Sequence, residues 1–208
     1  MLSRPHQRGV TFIEVMVVLV IMGVLMAVAA PSFGPWITGT RIRSTAESVL
    51  AGIQYAKSEA TTRNTQVRFQ LTSNLGNTCQ RSTNRGNWVV DIVDADATAD
   101  SVENKCDVAP SDTTAPSILQ VRSASETGNG VAIAAGASQV VFNGLGRQVP
   151  ISPATTASVV TIDITPASSA GSCVASGGKV TCLRIVVSPG GLARMCNPAV
   201  SASDPQSC

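Results

Sequence analysis

Gly9-Val10-Thr11-Phe12-Ile13-Glu14 runs directly into VMVVLVIMGVLMAVAA, residues 15–30. From Val10 to Ala30 the chain is apolar except at Thr11, Glu14 and Gly23. As one helix this stretch measures about 31 Å at ~1.5 Å per residue, enough to cross a hydrocarbon layer of about 30 Å. Arg4 and Arg8 precede it with no acid beside them, so the positive-inside rule leaves the leader in the cytoplasm and carries the rest across. Glu14 is the anomaly. An unpaired carboxylate in lipid costs roughly 3 kcal/mol or more, so its presence calls for a partner.

Two ordinary explanations compete for this segment. A secretory signal peptide would find an A-x-A cleavage site at Ala27-Val28-Ala29, and a plain anchor would need only the length. Neither explains Glu14, although a signal peptide can count it as the end of its n-region.

Downstream, Pro31 and Pro35 are expected to interrupt the helix. Apolar residues then recur at Ile42, Ala46, Val49, Leu50, Ile53, Ala56 and Ala60, spacings of three and four that define one helical face. Arg41, Arg43, Ser44, Glu47, Ser48 and Ser58 lie largely off that stripe. Short strands follow. Val67-Arg68-Phe69-Gln70-Leu71 alternates, with Val67, Phe69 and Leu71 on one face. Further strands are predicted at 88–93, 118–121, 131–133, 139–142, 159–164, 180–187 and 192–195, separated by turns such as Asn143-Gly144-Leu145-Gly146 and Ser188-Pro189-Gly190-Gly191. One long N-terminal helix packed on a C-terminal antiparallel β-rich head is an α+β arrangement.

Six cysteines, Cys79, Cys106, Cys173, Cys182, Cys196 and Cys208, all follow the apolar run, which fits disulfides in an oxidising compartment. No C-x-x-C pair exists, and the sole histidine, His6, precedes Gly9, so zinc is disfavoured. A two-residue turn at Gly177-Gly178 would pair Cys173 with Cys182 directly across a hairpin, with Cα atoms about 4.5 Å apart. That leaves Cys79–Cys106 to close an acidic loop and Cys196–Cys208 to tie down the tail. Cys182–Cys196 across the next turn is the competing pair.

Charge narrows the function. The formal net charge is +2, and without Arg4 and Arg8 the remaining side chains sum to zero. A neutral chain makes no general electrostatic case for nucleic acid. The stretch from Asp91 to Asp112 is acidic, opposed only by Lys105, and is expected to form a solvated loop. Within it Asp91, Asp94 and Asp96 lack the glycine and distal glutamate of a calcium loop. With no histidine after Gly9, Ser-His and Cys-His nucleophile pairs are excluded. Ser176-Gly177-Gly178-Lys179 matches S-x-x-K only as a hairpin tip. No catalytic site, metal, cofactor or small-molecule substrate is expected.

The N-terminus resembles the class III signal of type IV prepilins. The resemblance implies that a prepilin peptidase/methylase cuts after Gly9 and N-methylates Val10, although phenylalanine or methionine is commoner at that position. Glu14 then stands fifth in the mature chain, where it is neutralised by the amino group of a neighbouring subunit. Pro31 matches the family's helix-disrupting proline. Together with the ending CLRIVVSPGGLARMC, residues 182–196, the pattern resembles the GspH/FimT/FimU family of minor pilins and pseudopilins.

That likeness implies a division into a leader (1–9), a transmembrane and assembly half of the helix (10–35), and an amphipathic helix with a periplasmic or extracellular head (36–208). It further implies a single-pass inner-membrane protein, N-terminus cytoplasmic and head periplasmic, that reaches the cell surface in a pilus. Its partners would be other minor and major pilins, through the helix, and the inner-membrane assembly platform. The expected role is a minor pilin at or near the tip of a type IV pilus, supporting assembly for motility, adhesion or DNA uptake. The alternatives are a minor pseudopilin of type II secretion and a DNA-binding receptor subunit for natural transformation. DNA-uptake relatives carry G-R-x-R near the C-terminus. Here the aligned residues read Gly191-Leu192-Ala193-Arg194, so DNA contact would need Arg194 to converge with Arg184, Arg147 and Lys179.

Overall fold

The structure is a computed structural model; it describes residues 9–93, 101–124, 130–151 and 153–208, and of residues 28–32 the backbone alone. The leader residues Arg4, His6 and Arg8, together with Asp94 and Asp96, lie outside the described residues.

Helix α1, Phe12–Arg63, is continuous over 52 residues. The expected interruption is therefore absent: Pro31 and Pro35 lie inside the helix. Each removes one N–H donor, and the hydrogen bonds of the turns on either side carry the helix across. Asn64 ends it in the left-handed conformation, its N–H bonded to the Ala60 carbonyl.

Strands β1 (Val67–Thr72), β2 (Asn87–Ile92), β3 (Ile118–Arg122), β5 (Gln139–Phe142) and β6 (Gln148–Val149) form one antiparallel sheet in the order β3-β2-β1-β5-β6. A second antiparallel sheet, β4-β7-β8-β9, contains β4 (Val131–Ala135), β7 (Val160–Pro166), β8 (Leu183–Val187) and β9 (Ala193–Cys196). The second half of α1 lies across both sheets.

The predicted stripe forms that contact. Ile42, Ala46, Val49, Ile53, Ala56 and Ala60 are buried and Leu50 half-buried, against Val67, Phe69, Leu71, Trp88 and Phe142 of one sheet and Ile162, Ile164, Ile185 and Val187 of the other. Because the period of a helix and the period of a strand each select one face, a single apolar cluster closes between three elements. Helix and sheet meet most closely at Gly52: a Cβ there would stand 2.9 Å from the Phe69 ring and 3.1 Å from Trp88. The Trp88 indole N–H donates to the Ser48 hydroxyl at 3.3 Å.

The first sheet is buried on its other face as well. A smaller cluster of Cys79, Val89, Val102, Cys106 and Ile118 lies there, closed by the Cys79–Cys106 disulfide. This corrects the solvated acidic loop. Glu103, Asp107 and Asp112 are exposed, but Val102 and Cys106 are buried. Asp91 is fully buried in β2, where its carboxylate accepts from the Arg68 guanidinium at 3.1 and 2.6 Å. Arg68 and Asp91 are register partners on adjacent strands, and the bidentate pair compensates two charges removed from water.

The three disulfides are Cys79–Cys106, Cys173–Cys182 and Cys196–Cys208. The geometry around the second differs from the expected hairpin. Residues Val174–Ser176 form a 3-10 turn ending at Gly177, Cys173 bridges Val180, and β8 begins only at Leu183. The Gly178 N–H donates to the Cys173 carbonyl at 2.8 Å, so the loop folds back on itself before reaching Cys182. The cysteine Cα atoms are 5.5 Å apart, within disulfide reach without direct cross-strand pairing.

Candidate functional site: the exposed helix and the cations of the head

Along the first half of α1 the apolar side chains face outward. Val10, Phe12 and Ile13 are exposed, as are the described residues from Val15 to Met26, and the exposed apolar surface resumes at Phe33, Trp36 and Ile37. A monomer rarely leaves so long an apolar surface in contact with water. Among the described residues no helix is long and apolar enough to cross a membrane; the side chains of the apolar run are described only as far as residue 27.

Gly9 and Val10 precede the helix, and Thr11 is its N-cap. The Glu14 N–H donates to the Thr11 hydroxyl, and the Thr11 N–H donates to the Glu14 carboxylate, each at 3.4 Å. Thr11 and Glu14 thus form a capping box, in which the Glu14 carboxylate satisfies the Thr11 N–H and the Thr11 hydroxyl accepts from the Glu14 N–H. The T-x-x-E spacing at Thr11 to Glu14 is the sequence signature of this box. Both bonds are long and Glu14 is exposed, so the carboxylate remains accessible to an amino group from another chain.

Of the four cations expected at a DNA contact, Arg184 and Arg194 stand diagonally across β8 and β9, and Arg147 and Lys179 lie beyond opposite ends of β8, so the four do not gather at one point. Arg184 donates to Asp163 at 2.6 and 3.1 Å across β7 and β8, and this bonding pushes its pKa above the ordinary arginine value. Arg194 donates to the main-chain oxygens of Ser207 and Cys208 at 3.0 and 3.4 Å, which holds the tail beside the Cys196–Cys208 disulfide. Arg147 lies past the far end of β8, where the Gln148 N–H donates to the Pro189 carbonyl, whereas Lys179 precedes the start of β8 at Leu183. Gly191 also has a structural task. Its φ is +82°, and a Cβ there would overlap the Gly146 carbonyl, so the β8–β9 turn of the second sheet can pack against the β5–β6 turn of the first only over glycine.

A family model described as Type II transport protein GspH matches residues 45–191, and one described as Prokaryotic N-terminal methylation motif matches residues 4–30. No curated protein matches the chain. Two crystal structures of the type IV minor pilin FimU of Pseudomonas aeruginosa (strain PAO1) align with it. The P21 form is 19% identical, with a TM-score of 0.44, over 80% of this chain and 94% of that one. The P65 form is 18% identical, with a TM-score of 0.42, over 80% of this chain and 98% of that one.

Proposed function

The chain belongs to the GspH family of pilins and pseudopilins and carries a prepilin-type methylation motif, and from that premise we propose that it is a minor pilin built into a type IV pilus at or near the tip. The observation that carries the proposal is the division of α1. One face of its second half is buried in a closed core, while its first half exposes apolar side chains that its own head does not cover. That surface suits lipid before assembly and other pilin helices after it.

On this account the chain crosses the inner membrane once, with the head on the periplasmic side. The peptidase cuts after Gly9, and Val10 becomes the methylated first residue. Glu14 then accepts the amino group of an adjacent subunit in a water-poor core, where a paired carboxylate is tolerated and a lone one is not. A second role, as a minor pseudopilin of type II secretion, is favoured by the description of the matching family model. The same helix serves either filament.

The test places Glu14→Ala in a strain lacking the wild-type gene. Membrane insertion and processing are expected to be retained, while incorporation into sheared filaments falls at least severalfold. Undiminished incorporation would refute the pairing role. Loss of surface pili with normal secretion in the deletion strain supports the type IV assignment; the opposite pattern supports the pseudopilus.

A further inference from the structure

Trp36 stands on the flank of α1 beside a cavity of about 530 Å³ whose wall also includes Gly39, Thr40, Arg43, Lys179 and Thr181. Lys179 lines a second hollow of about 580 Å³ on the other side of Pro35, with Thr38 and Ser172. The loop closed by Cys173–Cys182 therefore straddles the helix where its free half ends. Trp36 is 69% exposed. Arg43 bonds Glu47 at 3.0 Å, but both side chains are more than half exposed, so the pair is weak and leaves the guanidinium available.

We propose that this collar, Trp36 with Lys179 and Arg43, docks on the lipid phosphates of the leaflet facing the head and prefers anionic phospholipid. The inference rests on the membrane-anchored reading above. Exposed apolar side chains stand on α1 from Phe12 to Met26 and again at Phe33, Trp36 and Ile37; the helix from Phe12 to Ile37 is about 39 Å long, which brings Trp36 into the polar interface of a bilayer about 40–45 Å thick with its headgroups. Indole rings concentrate at that depth because one edge is apolar and the N–H seeks a polar partner. Lys179 reaches the same level across the cavity. Arg43 stands about two turns higher, and helical side chains lean toward the N-terminus, that is, toward the membrane. Glu47 lies one turn farther from the lipid, so the charge sequence along this flank presents its positive end to the phosphates. Docking of this kind would hold the head upright on the membrane before the helix is extracted into a filament.

The two tryptophans make the contact measurable, since Trp88 is only 3% exposed and Trp36 is open. The full chain is reconstituted into vesicles of phosphatidylcholine and phosphatidylglycerol, with bromine on one lipid at a time, and quenching is compared with a Trp36→Phe variant. Phosphatidylglycerol is expected to be enriched about fivefold around Trp36. Arg43→Gln with Lys179→Gln should equalise quenching by the two lipids, and Arg43→Lys with Lys179→Arg should restore the preference. A chain that floats with the vesicles but is quenched equally by both lipids overturns the proposal alone. So does a floating chain whose Trp36 no lipid quenches, because protein, including a second copy, would then cover the indole. A chain that does not float overturns the anchored reading and this inference with it.

Discussion

At the scale of single residues, Gly52 and the Arg68–Asp91 pair set the tolerance of the fold. Gly52→Ala puts a methyl group against two aromatic rings that are themselves packed at 5.7 Å between centroids. Neither ring can swing aside without opening the core, so the expected loss is about 1–3 kcal/mol, read as a lowered denaturation midpoint. Asp91→Ala breaks the bidentate ion pair of the buried Arg68 guanidinium, and is expected to cost about 3–5 kcal/mol. Replacing both partners by apolar residues, Arg68→Met with Asp91→Leu, should recover most of that loss in the same denaturation measurement. If the double variant is as unstable as Asp91→Ala, the cost comes from packing rather than from the broken ion pair.

At the scale of elements, α1 is one rod serving two environments. The stripe from Ile42 to Ala60 was legible from spacing alone, since burial on one side of a helix leaves a 3.6-residue trace in the sequence. Its continuity through Pro31 and Pro35 was not legible, because a proline's penalty is local while the hydrogen bonds that span it belong to the neighbouring turns. The 173–182 loop shows the converse. Its cysteine pairing was readable, but its 3-10 turn depends on the return of Val180 to the Val174 N–H at 2.9 Å, which turn propensities alone do not encode. This disulfide closes a short loop against α1, and Cys173→Ser with Cys182→Ser is expected to destabilise the head by about 2–4 kcal/mol. Faster proteolysis within residues 168–182, with the rest of the head protected, would locate the loss there.

At the scale of the whole molecule, charge placement offers no compact phosphate cradle among the four cations expected at a DNA contact. Arg184 is committed to Asp163 and Arg194 to the tail, and Arg147 and Lys179 stand at opposite ends of β8. A five-residue strand at ~3.3 Å per residue separates those ends by more than 10 Å, too far to form one compact phosphate cradle. DNA binding by the full chain is therefore expected to be weak, lost at moderate salt, and unchanged by Arg194→Ala in a mobility-shift titration. A selective loss of affinity in that variant at moderate salt would revive the receptor role.

The segment from Gly9 to Ala30 by itself determined an apolar helix with a prepilin-type methylation motif, and the spacing after Pro35 determined an amphipathic helix leading into a β-rich head. Both are properties of residues near one another along the chain, where length, charge order and period are written directly. Only the tertiary structure decided that Asp91 is a buried ion-pair partner, that Arg194 holds the tail, that Gly191 is required by the Gly146 carbonyl, and that Trp36, Arg43 and Lys179 share one collar. These contacts join residues distant in sequence. Their partners are chosen by sheet register and helix position, which exist only once the chain has folded.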